Sequence, residues 1–296
     1  MERAFFYGAG TAIVTPFDEN GDIDFERFEE LIEFQIENDA DAIVVCGTTG
    51  ESSTLDVVEF LSVVSFCVEK VDKRFPVIVG TGSNDTKKSI KRSKEAERLG
   101  ADAILLITPY YNKTSQNGLV RHFGTICDSV SLPAILYNVP SRTGMTIDID
   151  TYSELERIPN IVGIKEASGN IGYVAKIFQA CGDRFDIYSG NDDMIVPYMS
   201  LGAKGVISVA SNIIPNVIHQ MCDLCLNGMF EKARNLQIAF LDVINALFIE
   251  VNPIPVKAAL KMIGYDVGKP RLPLCEISPE HKMILENALW NHGIVN

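Results

Sequence analysis

The 296-residue sequence has no apolar run approaching the length of a membrane span, so no spanning helix is expected. It has no excess of basic residues: Lys and Arg number 26 against 39 Asp and Glu, a net charge of −13 at pH 7. A phosphate-backbone binder needs a basic face, so nucleic acid is not an expected partner. Residues 1–10 lack a basic stretch followed by a long apolar one, and no secretory signal is expected there. His122, His219, His281 and His292 do not cluster and none follows an expected strand. They read as surface or capping residues, and no metal site is expected. The seven cysteines are scattered through apolar segments, as in Val44-Val45-Cys46. That is the pattern of reduced, buried thiols in a cytoplasmic protein, not of a disulfide framework. Cys222 and Cys225 form a Cys-x-x-Cys, but inside an apparent helix and with no second pair at zinc spacing.

Apolar residues make up 47% of the chain, enough for a sizeable core, and charged residues 22%. The length suits one large domain, or one domain with an extension. Short apolar runs recur at 7–15, 41–46, 76–80, 101–108, 132–137, 161–164, 185–189 and 205–209. None alternates strictly between apolar and polar, which is how a strand buried on both faces reads. Between consecutive runs there is room for one helix, for example 55–71, 85–99, 115–129, 170–180 and 191–201. Asp24 can cap a helix whose Phe25, Phe28 and Ile32 share a face. Strict alternation of strand and helix predicts a parallel sheet with right-handed crossovers. Eight such units predict a closed (β/α)8 TIM barrel with its site at the C-terminal ends of the strands. An open doubly wound sheet usually carries a glycine-rich phosphate loop after its first strand, and none is present. After residue 209 the pattern turns helical: 216–226, 229–248, a helix from 252 to about 264, and 279–291. We expect a barrel over 1–226 and a C-terminal helical extension over 227–296.

Lys165 directly follows the sixth run, Ile161-Val162-Gly163-Ile164. Burial disfavours an ammonium, and a neutral amine can form a Schiff base with a ketone. The alternative is a strand-end lysine whose tip reaches water. The other expected strand ends carry Thr48 and Thr49, Tyr110 and Tyr111, Tyr137 and Asn138, Ser189-Gly190-Asn191, and Ser208. On a barrel they share one face, so Lys165 faces a ring of hydroxyls. Gly47-Thr48-Thr49-Gly50 offers backbone N–H groups suited to a small carboxylate. Arg142 can fork onto a second carboxylate. Singly, each could be a turn residue, a packing aromatic or a surface ion pair. Together, facing one lysine, they favour a Schiff-base site.

Six blocks in order now carry a resemblance that spans essentially the whole chain. They are Gly10-Thr-Ala-Ile-Val-Thr-Pro-Phe17, Gly47-Thr-Thr-Gly-Glu-Ser52, Thr108-Pro-Tyr-Tyr-Asn112, Leu136-Tyr-Asn-Val-Pro-Ser-Arg-Thr-Gly144, Gly163-Ile-Lys-Glu-Ala-Ser168 and Asn252-Pro-Ile-Pro-Val-Lys257. The chain resembles the dihydrodipicolinate synthases, of the pyruvate-dependent class I aldolase family that includes the N-acetylneuraminate lyases. The resemblance implies condensation of pyruvate with L-aspartate 4-semialdehyde through a lysine imine, in the cytoplasm, with neither metal nor organic cofactor. It implies that Lys165 forms the imine and that Tyr137, Thr49 and the neighbouring subunit's copy of Tyr111 relay protons. Thr48 and Thr49 would hold the pyruvate carboxylate, Arg142 that of the aldehyde substrate, and Gly190 and Ile207 would line the pocket. It also implies a homotetramer built from two tight dimers. A lyase acting on 2-keto-3-deoxy acids is the alternative enzyme; Thr48-Thr49, Tyr111 and Arg142 favour the synthase. A non-catalytic carboxylate-binding barrel, or a thiol sensor built on Cys222 and Cys225, is the alternative of another class. Ser52, Asn84 and Tyr110 match the lysine-effector site of feedback-sensitive relatives. Val57, Phe60 and Lys88 depart from it, so weak or absent inhibition by L-lysine is expected.

Overall fold

In the computed structural model, which describes residues 4–182 and 184–295, eight parallel strands close into a barrel in chain order. They are β1 (Gly8–Ala12), β2 (Ala42–Val45), β3 (Val77–Gly80), β4 (Ala103–Ile107), β5 (Ala134–Asn138), β6 (Ile161–Glu166), β7 (Asp186–Ser189) and β8 (Gly205–Ser208). Each pairs with the next, and β8 closes on β1 with Gly10 opposite Ile207. The expected strands are all present, most of them shorter by a residue or more at one end or both. The fifth and sixth extend past their expected ends: β5 takes in Asn138, and β6 continues through Lys165 and Glu166, so the lysine sits within a strand and not after one.

Strand residues alternate between two apolar compartments, which is why the runs show no polar face. Ala12, Val44, Ile78, Leu105, Ile135, Tyr137, Tyr188 and Ile207 fill the barrel. Ile43, Val79, Ile104, Leu136, Ile164 and Ile187 face the helices and join the larger core. Phe6 closes the N-terminal end by stacking on Tyr188, with ring centroids 4.2 Å apart and an interplanar angle of 7°. The Tyr188 hydroxyl donates to the Phe6 carbonyl at 2.9 Å. Gly10 leaves room for this plug, since a Cβ there would stand 3.1 Å from the Phe6 ring.

The outer helices start where the sequence offers caps. Asp24 accepts from the Arg27 N–H at the head of Phe25–Glu37, and Asp56 with Glu59 forms a capping box on Val57–Val71. Four helical expectations need correction. A one-turn helix, Pro140–Thr143, follows β5 where none was expected. The helix expected over 191–201 begins as a 3₁₀ turn, Asp192–Met194, before Ile195–Ser200. The single helix expected over 229–248 is two, Phe230–Ala239 and Leu241–Ala246, broken at Phe240. The helix expected from 252 begins at Ile254, leaving Asn252 and Pro253 outside it. Pro279–Asn291 has the expected bounds. His122 is buried against Thr86 (Nδ1 to Oγ1, 2.9 Å), contrary to the surface reading, and Cys275 is exposed while the other six cysteines are buried.

Candidate active site

The site is built at the C-terminal ends of the strands. Register sets Tyr137 of β5 beside Lys165 of β6, and Lys165 beside Tyr188 of β7. Paired residues in neighbouring parallel strands point the same way, so all three enter the barrel. Lys165 and Tyr137 are both buried, and the Lys165 Nζ lies 4.5 Å from the centroid of the Tyr137 ring. Burial pulls the Lys165 pKa down from 10.5 to about 8; buried Asp192 opposes the shift and Arg142 adds to it. Burial pushes the Tyr137 hydroxyl up, with Arg142 and the Thr48 hydroxyl opposing. An amine whose pKa lies within about a unit of physiological pH has a usable neutral fraction and, held against a protonated phenol, can attack a ketone and have its protons handled locally.

Thr48 and Thr49 lie in the loop after β2, with Thr49 buried. The Thr49 Oγ1 accepts from the Asn252 Nδ2 at 3.0 Å, and the Asn252 carbonyl accepts from the Arg142 Nη2 at 3.3 Å. Asn252 thus joins the β2 loop to the one-turn helix carrying Arg142, which is itself exposed. Gly190 follows β7, its N–H donating to the Glu166 carbonyl at 2.7 Å; a Cβ there would stand 2.6 Å from that of Ala167. Ile207 is buried inside the barrel on β8. Tyr111 is the one expected site residue that the fold does not gather in. It is 93% exposed, at a left-handed φ of 66°.

Two residues near the site escaped the sequence reading. Asp192 is buried, accepting from the Ser208 hydroxyl and from the N–H groups of Val209 (3.0 Å) and Ala210 (3.3 Å). Its only sequence signal is its position just past the seventh strand. Asn252 was legible only as the first residue of one of the six blocks. Among the described residues no group of His, Cys, Asp and Glu could hold a metal ion. The histidines pair instead with Thr86, Asp41, Glu250 and Asp242. The Cys222 and Cys225 thiols are buried and their pKa values pushed up, that of Cys225 to about 11, away from the reactive thiolate form.

Fold and site together define an eight-stranded parallel barrel protein with a desolvated lysine and a tyrosine side by side at its C-terminal mouth. The chain belongs to the dihydrodipicolinate synthetase family, whose model matches residues 5–291. It is 53% identical over 291 residues to the 4-hydroxy-tetrahydrodipicolinate synthase of Caldicellulosiruptor bescii, covering 98% of each chain. The crystal structure of dihydrodipicolinate synthase from Aquifex aeolicus superimposes with a TM-score of 0.96 at 43% identity, over 98% of this chain and 99% of that one. The enzyme from Cyanidioschyzon merolae, solved with lysine bound, matches with a TM-score of 0.96 at 40% identity, over 99% and 100%.

Proposed function

We propose that this protein is a 4-hydroxy-tetrahydrodipicolinate synthase, joining pyruvate to L-aspartate 4-semialdehyde through an imine on Lys165. The observation that carries the reading is the buried Lys165 amine, its pKa lowered to about 8, held against Tyr137 at the barrel mouth. The Lys165 amine adds to the pyruvate ketone, and water leaves to give the imine. Loss of a methyl proton gives an enamine, whose carbon attacks the aldehyde. The amine of the second substrate then displaces Lys165 as the ring closes. The lysine-bound imine is the electron sink, so the scheme calls for no metal or organic cofactor. Tyr137 moves protons at the imine, with Thr49 and Tyr111 completing the relay. Thr48 and Thr49 receive the pyruvate carboxylate, and Arg142 that of the aldehyde. Gly190 and Ile207 bound the pocket. Intact-mass spectrometry after pyruvate and borohydride tests this. Wild type should gain one reduced pyruvate adduct and Lys165→Ala none; active, folded wild type without an adduct would sink the mechanism.

The same proposal divides the chain into a barrel over 1–226 and a helical extension over 227–296. The division is supported by the last strand ending at Ser208 and by helices being the regular elements described after it. A cytoplasmic setting is supported by seven free cysteines, six of them buried. Regulation by L-lysine should be weak or absent. Phe60 is buried under the Arg92 guanidinium, 4.8 Å from its ring centroid, and Lys88 is exposed where it would repel an ammonium. Initial rates across a lysine titration check this, and half-maximal inhibition at micromolar lysine would refute it.

A further inference from the structure

Behind Tyr137 and Lys165, on the outer side of the same two strands, register pairs Asn138 with Glu166. Both are 0% exposed. Their outward neighbours along the strands, Leu136 and Ile164, are apolar, and an apolar pair would fill this space too. A carboxylate sealed here is costly unless its lone pairs are met, so the groups that meet them are informative. Among the described residues no cation hydrogen-bonds to it. The Asn138 Nδ2 donates to the Glu166 Oε2 at 2.8 Å, and the Ser168 N–H donates to the Oε1 at 2.6 Å. The Asn138 Oδ1 accepts from the Ile147 N–H at 3.2 Å, and the Ile147 carbonyl accepts from the Tyr173 hydroxyl. Two backbone bonds complete the frame: the Ala167 N–H to the Asn138 carbonyl at 2.9 Å, and the Gly190 N–H to the Glu166 carbonyl at 2.7 Å. Burial pushes the Glu166 carboxyl up, and the bonds from Ser168 and Asn138, which favour its charged form, oppose that shift. Both Glu166 oxygens accept and the two backbone N–H groups only donate, so each side-chain bond has a fixed direction.

We propose that Asn138 and Glu166 are positioning residues, whose directed hydrogen bonds set the separation of Tyr137 and Lys165 and anchor the Arg142 segment to the strands. The proposal deepens, and rests on, the reading of Lys165 and Tyr137 as the reacting pair. Asn138 and Glu166 each follow a member of that pair directly, so a shift in one backbone is a shift in the reacting atoms. Ile147 closes the segment 139–147 that carries Arg142. Misplacement by about 1 Å at a reacting group costs on the order of a hundredfold in rate, which makes such a frame consequential.

The amide and carboxylate can be exchanged, and that supplies the test. In Glu166→Gln, the new amide turns an N–H toward the Asn138 Nδ2; flipping Asn138 moves the conflict to the Ile147 N–H. In Asn138→Asp, two buried carboxylates face each other and are held together only by a shared proton. The double variant Asn138→Asp with Glu166→Gln restores every bond with donor and acceptor exchanged. Each single variant should lose about tenfold or more in kcat with the pyruvate KM little changed, and the double should recover to within about threefold of wild type. The titratable groups facing Glu166 are Tyr152, Tyr173 and Tyr198 from three packed helices and Tyr137 from β5, all with pKa values raised and so neutral in the working range. Asn138→Asp should therefore lose activity as pH rises and the shared proton leaves, a limb absent from the double variant.

Near-ultraviolet circular dichroism and borohydride trapping accompany each assay. If a single variant does not fold, the double decides: recovered fold with recovered kcat supports positioning, and recovered fold with kcat still about tenfold down overturns it. Folded single variants with wild-type kcat also overturn it. Wild type that traps no pyruvate overturns the reading of the reacting pair, and this proposal with it.

Discussion

Burial of Lys165 destabilises the folded protein, and in the proposed reaction the same burial makes its amine reactive. Burial lowers its pKa from 10.5 to about 8, with Asp192 opposing the shift and Arg142 adding to it. Between those values the unfolded chain binds the proton and the folded chain does not, so stability rises with pH across that window. Below pH 8 the full penalty applies, on the order of 3 kcal/mol for a shift of that size. Imine formation uses the neutral amine. Its rate with pyruvate should climb with pH through a midpoint near 8 and level off above it, measured by rapid quenching into borohydride. A rate still rising toward 10.5 would mean an ordinary, solvated lysine. Lys165 was legible in the sequence because an apolar run leads straight into it. Asp192 was not, because its burial is created by Ser208, Val209 and Ala210 on another unit of the barrel.

At the scale of elements, the loop after β2 is held by a segment more than two hundred residues away. Glu51 sits in that loop at a φ of 53° and is sealed from water. Its carboxylate meets the Lys257 Nζ at 2.6 Å and accepts from the Arg271 N–H at 2.8 Å, while Asn252 holds Thr49. Lys257 and Arg271 both pack on the Phe17 ring, 4.2 Å from its centroid. Lys257→Met leaves the Glu51 carboxylate buried without its cation and should cost about 3–5 kcal/mol in urea denaturation. Adding Glu51→Gln should return most of that loss. An unchanged midpoint for Lys257→Met would show that water reaches the pair. Helix starts were legible wherever a side chain caps the backbone locally, as at Asp24 and Asp56. The break at Phe240 was not, since nothing in that apolar stretch announces it, and neither was the turn Pro140–Thr143, which is too short to show a period.

At the scale of the whole molecule, Tyr111 sets the question. An aromatic side chain 93% exposed on a single chain contributes nothing to that chain's own core. We propose that it completes the site of a neighbouring subunit in a homotetramer of four 32.6-kDa chains. Tyr111→Phe and Lys165→Ala should each be nearly inactive alone. Unfolded together and refolded as a mixture they should regain activity, because some sites then pair an intact Lys165 with an intact Tyr111 from the other chain. Light scattering gives the mass, and a mixture no more active than its components would sink the shared site. The eight-unit barrel, the family and the candidate residues at the strand ends could be read from the chain alone. Those are written in local apolar runs, turn residues and short motifs that need no distant partner to be read. Which polar groups are sealed from water, and what meets them, depends on how the elements pack. Asp192 against Ser208, Glu166 against Asn138, Glu51 against Lys257 and Asn252 against Thr49 are all contacts across strands or across the length of the chain. Burial and hydrogen-bond direction arise there from closure of the barrel, and no local stretch of sequence encodes them.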